Sequence, residues 1–216
     1  MQLANPYKAI DYESWKRRGH FEVFGSGDYP YIGLTTDVEV TRLVKACRAR
    51  RRRFFNAFLY VVMRAMNAVE NFRYRIFDDK VVLCDRIDPS FNVLDEEHEL
   101  FYFAYADYNP DFARFYADVE TAKANALATR NLSGNRLDVA YVSCLPWFNF
   151  SDIIQPMGLT ASDTIPRVIW GKFGEGEDRR TVMSFSITGH HGLFDGLHIA
   201  RLLDGMTALA ADPSFL

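Results

Sequence analysis

The sequence predicts an α/β fold, a two-layer sandwich in which helices pack against a β-sheet around one core. Patterns typical of strands and of helices alternate along the whole chain. No Gly/Ser linker, repeat or low-complexity tract interrupts them, so we expect a single domain, residues 1–216. With 216 residues, of which 49% are hydrophobic, the chain is long enough to bury a full core.

The N-terminal half predicts a strand, two helices and a hairpin. Residues 31–40 alternate apolar and polar side chains as a strand does, and Thr41 is expected to cap the helix that follows. Phe54–Glu70 is apolar nearly all round, which is typical of a helix deep in a fold. The predicted elements are a strand at 31–40, helices at 41–53 and 54–70, and a hairpin at 74–85 turning at Asp78-Asp79.

The C-terminal half predicts a strand, a helix, three more strands and a last helix. Asn109-Pro110 has the residue types of an N-cap and a first helical position. After Gly196, apolar residues recur at helical spacing and include Ile199, Leu202, Leu203, Met206 and Leu209. The predicted elements are strands at 99–108, 137–145, 166–173 and 180–191, and helices from Asn109-Pro110 to 128 and from 197 onward.

Charge and composition narrow the function classes. The net charge of −3 and the pI of about 6.0 give no basic footprint for nucleic acid. Three widely spaced cysteines without a CxxC pair predict neither a disulfide framework nor a zinc knuckle. The longest apolar stretch, Phe58–Met66, contains Arg64 and is too short to span a membrane, and no signal peptide is evident. We therefore expect a cytoplasmic protein without a membrane or nucleic-acid partner.

The stretch TGHHGLFDGLHIARLLDGM (188–206) carries two adjacent histidines. Alternation along the predicted strand places His191 on an apolar row and His190 on a mostly polar row. A neutral imidazole at the rim of a dry core suits a general base. Two alternatives remain open. The first is a core histidine bonded to a backbone carbonyl, with Asp195 as a helix N-cap. The second is a metal site that contains His190, His191, Asp195 and His198. Because His190 and His191 lie on opposite rows of the predicted strand, they cannot easily bind one ion, which disfavours the metal site.

Several motifs together resemble the chloramphenicol acetyltransferase family, within the wider superfamily of coenzyme A-dependent acyltransferases. HHGLFDG fits the HHxxxDG motif, WKRRGHFEVF resembles the family's N-terminal W-x-R-R-x-H-F-E, and SCLPW fits its S-x-x-P-W strand. The likeness runs from about residue 12 to 209. It implies a two-layer sandwich with a mixed β-sheet, and a homotrimer with active sites at the subunit interfaces.

The resemblance also implies roles for individual residues. His191 would be the base that activates an acceptor hydroxyl for direct attack on acetyl-coenzyme A, and Ser143 would stabilise the oxyanion. Asp195 would pair with Arg17 to hold the loop. Without the resemblance, Ser143 is a plain strand serine and Arg17 part of a solvated charged run. The implied coenzyme residues are Trp147, Lys172 and Phe173, and the implied acceptor-pocket residues are Phe24, Ile32, Phe101 and Phe103; no metal is implied.

The sequence departs from the family in its acceptor pocket. Phe24 replaces a tyrosine, Ile32 a phenylalanine, and Ile169 and Asn92 replace threonines. Arg53 stands at a lysine position and either approaches a coenzyme phosphate or belongs to a charged helix end. The leading hypothesis is an O-acetyltransferase acting on chloramphenicol or a related small molecule. The alternatives are an acyltransferase with a non-antibiotic acceptor, including a 2-oxoacid dehydrogenase core, and a trimeric binding protein that has lost turnover.

Overall fold

The computed structural model describes residues 1–25, 27–158, 162–176 and 179–216. The described helices are α1 (Arg18–Gly25), α2 (Thr41–Ala49), α3 (Phe54–Ala68), α4 (Phe112–Thr129) and α5 (Gly196–Ala211), with a 3₁₀ turn at Glu70–Arg73. The described strands are β1 (Tyr7–Ala9), β2 (Tyr31–Glu39), β3 (Tyr74–Phe77), β4 (Lys80–Cys84), β5 (Asp88–Asp95), β6 (Leu100–Tyr105), β7 (Val139–Cys144), β8 (Arg167–Trp170), β9 (Gly174–Glu175) and β10 (Thr181–His190).

The main sheet has seven strands and is mixed. Its order is β2-β10-β8-β7-β5-β6, with β9 paired to β10. β5, β7 and β8 run parallel to one another, whereas β6, β10 and β2 join antiparallel. A smaller sheet, β1-β4-β3, contains the predicted hairpin. The predicted two-layer α/β sandwich with a mixed sheet is confirmed.

Helix α3 lies at the centre of the core, as its uniformly apolar surface predicts. Its residues from Phe58 to Met63 are at most 1% exposed. The Phe58 ring contacts Trp170 and Phe185 on the sheet, at centroid distances of 5.0 and 6.4 Å. Helix α5 packs on α3 from the same side. One face of the sheet is therefore covered by helices.

The second face of the sheet carries a different set of side chains. Because side chains alternate along a strand, the neighbours of Trp170 and Phe185 project from that face. Ser143, Ile169 and Ser186 follow one another across β7, β8 and β10. The segment after β7 covers part of this face, and Asn149 Oδ1 accepts the Ser184 backbone N–H at 2.8 Å.

Two predicted helix caps are wrong. Helix α2 has Val40 at its N-cap, and Thr41 Oγ1 instead accepts the Thr181 N–H, which ties α2 to β10. Helix α4 begins after Asp111, not at Asn109-Pro110, because the Asp111 carboxylate accepts the N–H groups of Ala113 and Arg114. A carboxylate that reaches two free N–H groups is the stronger cap.

The boundaries of other elements also differ from the prediction. Helix α2 ends at Ala49, and Arg51 adopts a left-handed φ of 52°, which breaks the helix predicted to reach 53. Strand β5 was not predicted from its residues, since Pro89 and its polar neighbours hide the pattern. None of the described helices is both long enough and apolar enough to cross a membrane.

Candidate active site

The histidine turn connects β10 to α5. Strand β10 ends at His190, so His191 lies in the turn and not at the end of a strand row. The backbone N–H of His191 donates to Pro30 O at 2.8 Å, which fixes the start of the turn against β2. His191 Nδ1 lies 3.2 Å from Phe194 O. Because a carbonyl only accepts, Nδ1 carries the hydrogen, and in the neutral ring Nε2 therefore has the lone pair.

The two adjacent histidines have different environments. His191 is half-buried, and the Phe24 ring stacks on its imidazole with a centroid distance of 3.8 Å. His190 is fully buried, and its Nδ1 accepts the Gly192 N–H at 3.1 Å. His190 ends the mostly polar row of β10 as predicted, whereas His191 lies in the turn, so the strand row predicted for it was wrong because alternation stops where the strand stops. A Cβ at Gly192 would lie 2.9 Å from the His190 ring, so this turn requires glycine.

Side chains hold four consecutive carbonyls of the turn. Arg17 Nη2 donates to His191 O at 2.9 Å, and Arg17 Nε donates to Gly192 O at 2.7 Å. Asn71 Nδ2 donates to Leu193 O at 2.8 Å, and His191 itself takes Phe194 O. Asn71 was missed by the sequence analysis, since nothing in its local pattern indicates a long-range contact. Two distant side chains and the His191 ring itself therefore fix the backbone of the turn.

The implied ion pair between Arg17 and Asp195 is present in the structure. Arg17 Nη1 lies 2.7 Å from Asp195 Oδ2, with the two side chains 10% and 29% exposed. Burial raises the pKa of Asp195, but the hydrogen bond and the charge of Arg17 outweigh it and bring the pKa to about 2. Asp195 therefore stays ionised at any pH at which the protein works.

Asp195 is also the N-cap of α5, so the simpler alternative for this residue holds alongside the ion pair. Its Oδ1 accepts the Leu197 N–H at 3.1 Å, and His198 Nδ1 lies 3.2 Å from the Asp195 N–H. Burial lowers the pKa of His198, which favours the neutral ring that can accept this hydrogen bond. Among the described residues there is no cluster of three or more His, Cys, Asp or Glu able to hold a metal ion.

Ser143 lies in a separate cavity on the second face of the sheet. Asn92 Nδ2 donates to Ser143 Oγ at 3.0 Å. The cavity has a volume of about 550 Å³ and combines aromatic rings with polar groups. Its wall includes Phe101, Phe103, Asn92, Tyr141, Ser143, Gln155 and Arg167. Arg167 lies over the Tyr141 ring at 5.2 Å and pairs with Asp163 at 2.7 Å, so its charge is balanced.

One chain does not bring His191 and Ser143 together. Ser143 is paired with Ile169, and Ile169 with Ser186, so Ser143 lies two strands away from β10. His191 follows Ser186 by five positions. At about 3.3 Å per residue and about 4.8 Å per strand, the two lie roughly 19 Å apart. Phe24 is on the His191 side, and Ile32 pairs with Gly189, whereas Phe101 and Phe103 line the cavity of Ser143.

The implied coenzyme residues lie beyond the ends of β7 and β8. Trp147 is 59% exposed, and Lys172 is exposed with its backbone N–H donating to Phe148 O at 2.9 Å. The Phe173 ring contacts Phe54 at 4.9 Å, next to Arg53 at the start of α3. Arg53 pairs with Glu120 at 3.1 Å and remains largely exposed. This arrangement leaves aromatic and cationic side chains accessible together.

The sequence of this chain is similar to those of several chloramphenicol acetyltransferases. A family model described as chloramphenicol acetyltransferase matches residues 5–207. A chloramphenicol acetyltransferase of Klebsiella sp. is 28% identical over 203 residues, covering 92% of this chain and 91% of that protein. Chloramphenicol acetyltransferase 2 of Escherichia coli is 29% identical over 206 residues, covering 92% and 94%.

Solved structures agree with these sequence comparisons. A structure named chloramphenicol acetyltransferase superposes with a TM-score of 0.85 at 27% identity, covering 95% of this chain and 100% of that chain. A probable dihydrolipoamide acetyltransferase from Listeria monocytogenes superposes with a TM-score of 0.66 at 16% identity, covering 94% of each. At that identity the second likeness concerns the fold alone.

Proposed function

This chain belongs to the chloramphenicol acetyltransferase family and is an acyltransferase, and on that premise we propose its reaction. It transfers the acetyl group of acetyl-coenzyme A to a hydroxyl of chloramphenicol or a related small molecule. The observation that carries this proposal is the state of His191. Its Nδ1 is held by Phe194 O, so Nε2 is available as a base.

The proposed reaction is a direct transfer. His191 Nε2 takes the proton of the acceptor hydroxyl as the oxygen attacks the thioester carbonyl carbon. The carbonyl oxygen then carries negative charge, and the Ser143 hydroxyl donates a hydrogen bond to it. When the tetrahedral intermediate collapses, the C–S bond breaks and the thiolate takes the proton back from His191. Arg17 and Asp195 hold the turn and exchange no proton, since the pKa of Asp195 is about 2.

The site is proposed to form between two copies of the chain, in a homotrimer. About 19 Å separate His191 from Ser143 within one chain, which is too far for both to contact one acetyl group. Apolar side chains are exposed at the Ser143 cavity: Phe101 in its wall is 49% exposed, and Leu94, which pairs with Phe101 in the sheet, is 40% exposed. A neighbouring copy that brings His191 to this cavity would cover these side chains and complete the site.

Acetyl-coenzyme A is proposed to reach the site along Trp147, Lys172 and Phe173. An exposed indole and a phenylalanine ring can contact the adenine or the pantetheine arm, and the ammonium group can meet a phosphate. Arg53, which precedes Phe54 at the start of α3, would add a second cation there. The three free cysteines, Cys47, Cys84 and Cys144, suit the reducing cytoplasm, where this cosubstrate is made.

A non-antibiotic acceptor is the second candidate, and the cavity wall favours it. Asn92, Gln155 and Arg167 offer hydrogen-bonding groups around Ser143, while Phe24 offers only a ring at His191. Such a pocket suits a molecule that combines an aromatic body with several polar groups. The chemistry proposed for His191 is the same for either acceptor.

A thiol-release assay tests the reaction. Purified protein is given acetyl-coenzyme A and a panel of alcohols that includes chloramphenicol, and free thiol is measured over time. His191→Ala should lower the rate with the best acceptor by about 10²–10⁴-fold. His98→Ala, at the exposed turn between β5 and β6, is the matched control and should leave the rate unchanged. No thiol release with any alcohol would favour a binding protein without turnover.

Mixed oligomers test whether the site is shared. His191→Ala and Ser143→Ala proteins are unfolded together, refolded at equal amounts and assayed. If each site joins His191 of one copy to Ser143 of the next, random mixing leaves roughly a quarter of the sites intact. The activity should therefore rise well above that of either variant alone. No recovery in oligomers shown to be mixed would refute a site between copies.

A further inference from the structure

We propose that Asn92 is a positioning residue for Ser143. Its amide N–H occupies a lone pair of the Ser143 hydroxyl and so directs the hydroxyl's own hydrogen toward the oxygen of the reacting thioester. The proposal rests on the oxyanion role of Ser143 in the proposed function. It assigns to Asn92 an orienting role and no contact with the reacting atoms.

The sheet register brings the two side chains together. Strands β5 and β7 run parallel, with Phe91 opposite Val142. One residue further along each strand, Asn92 and Ser143 face the same side of the sheet, the side of the cavity. Asn92 is also paired with Phe103 on β6, a second wall residue of that cavity. The position of the Asn92 amide therefore follows from the backbone of three adjacent strands, β7, β5 and β6, at one side of the sheet.

Hydrogen-bond chemistry gives the contact its direction. A serine hydroxyl has one hydrogen to donate and two lone pairs, whereas an amide N–H only donates. The 3.0 Å bond from Asn92 Nδ2 to Ser143 Oγ therefore leaves the serine hydrogen unused. Among the described residues, no side-chain acceptor is placed to take that hydrogen. It remains for a group in the cavity, where the oxyanion would form.

A side chain at position 92 that only accepts hydrogen bonds would turn the hydrogen of the Ser143 hydroxyl away from the cavity. A carboxylate only accepts, so an aspartate of nearly the same shape would take the serine hydrogen for itself. Ser143 would then present a lone pair to the developing oxyanion and repel it. An alanine would remove the orienting bond and add no competing acceptor. The two substitutions thus separate misdirection of the hydroxyl from simple loss of a contact.

The test is a comparison of Asn92→Asp and Asn92→Ala by steady-state kinetics with the best acceptor. Asn92→Asp should lower kcat by roughly 10–10³-fold, close to the effect of Ser143→Ala, because both remove an oxyanion donor. Asn92→Ala should lower kcat by only about two- to fivefold. KM for acetyl-coenzyme A should stay within about twofold in both. Asn125→Asp on α4 introduces the same charge at an exposed site and should have no effect.

A double variant decides between positioning and general damage. In Ser143→Ala there is no hydroxyl to misdirect, so adding Asn92→Asp should slow Ser143→Ala by much less than it slows wild type, and only by the repulsion between the new carboxylate and the oxyanion. Lowering the pH protonates the introduced carboxyl and restores a donor, so the rate of Asn92→Asp relative to wild type should rise as the pH falls toward about 4, near the ordinary pKa of an aspartate. Melting temperature and oligomer mass are measured for every variant.

Three results would overturn the proposal. The first is an Asn92→Asp kcat within about twofold of wild type. The second is a double variant slower than Ser143→Ala by the full factor of the single Asn92→Asp change. The third applies where Asn92→Asp fails to fold: an Asn92→Ala protein with unchanged kcat would then contradict an orienting bond. Failure of the proposed function is distinct, because the wild type itself would show no acetyl transfer that depends on His191.

Discussion

Replacing Asp195 by asparagine tests how the histidine turn is held. Asparagine keeps the size of the side chain and caps a helix about as well as aspartate, so the cap on α5 is retained. The substitution removes the negative charge opposite Arg17, which is 10% exposed. Arg17 keeps its bonds to the carbonyls of His191 and Gly192 but loses its counter-ion. The change therefore isolates the ion pair.

The structure gives the size of the expected loss. The pKa of Asp195 is lowered from 3.8 to about 2. At about 1.4 kcal/mol per pKa unit this corresponds to about 2.5 kcal/mol in favour of the ionised form. Asp195 is 29% exposed, and solvent screening reduces the figure to about 2 kcal/mol. The value lies below the roughly 3–5 kcal/mol of a fully buried pair, because two carbonyls still solvate Arg17.

The pH dependence follows from the direction of the shift. A carboxyl whose pKa is lowered on folding stabilises the protein above its unfolded pKa, here near 3.8, and the contribution is lost as the pH falls toward 2. The difference in stability between wild type and Asp195→Asn should therefore be full at pH 7 and shrink between about pH 4 and pH 2. A substitution that damaged packing would show no such window.

The assay combines thermal and urea unfolding with kinetics at equal protein concentration, since the proposed association of subunits would make stability concentration-dependent. At pH 7 the melting temperature of Asp195→Asn should fall by about 4–8 °C. The rate should fall as well, because the turn that carries His191 is looser. Unchanged stability would refute the ion-pair argument. A rate lower by orders of magnitude with unchanged stability and an unmoved turn would assign Asp195 a direct role in the reaction.

Further predictions concern the histidines, the assembly and the acceptor. His191→Ala should lower acetyl transfer by about 10²–10⁴-fold with a smaller fall in melting temperature than His190→Ala, which empties a fully buried position. Burial lowers the pKa of His198, so stability should decline as the pH falls below about 6.5, and His198→Asn should reduce that decline. Sedimentation should give a homotrimer at micromolar concentration; a monomer near 25 kDa would contradict it. Chloramphenicol should be a slow acceptor with a high KM. Phe24→Tyr should raise kcat/KM for chloramphenicol about tenfold, which is the effect of one hydrogen bond. A wild-type kcat/KM for chloramphenicol near about 10⁸ M⁻¹s⁻¹ would contradict the expectation of a slow acceptor.

Local sequence patterns predicted most of the fold because most helices and strands of this chain show the residue spacing that is typical of their type. The buried helix α3 is predicted by its nearly uniform apolar residues, and the hairpin is predicted by two β-rich runs on either side of Asp78-Asp79. Strand β5 was not predicted because it begins with Asp88, a charged residue, and Pro89, which has no backbone N–H to donate, and both residue types are uncommon inside a sheet. Asp88 is buried there because Arg136 and Asn5 bond its carboxylate, and such long-range partners leave no mark in local spacing.

The histidine turn shows where periodicity stops being informative. Alternation assigns a side only while the chain remains a strand, and β10 ends one residue before His191. The choice of His191 as the base rests on the family motif and stays a prediction, whereas the strand argument could assign no side to a residue that lies in the turn. The physical determinant is the set of side chains that hold the turn carbonyls, Arg17 and Asn71 among them, from distant parts of the chain.

The contact between Asn92 and Ser143 depends on the pairing of two strands that are distant in the sequence. Each residue alone is an unremarkable polar side chain on a strand, and each lies in a part of the sheet where parallel pairing fixes its neighbour. Had β5 been predicted as the parallel partner of β7, parity would have placed both side chains on the cavity face. The direction of their hydrogen bond depends on the amide alone, so substitutions at position 92 can alter the rate without a change in the fold. In the proposed site between two copies, the base and the oriented hydroxyl would belong to different chains, so a change at position 92 would leave the turn that carries the base intact.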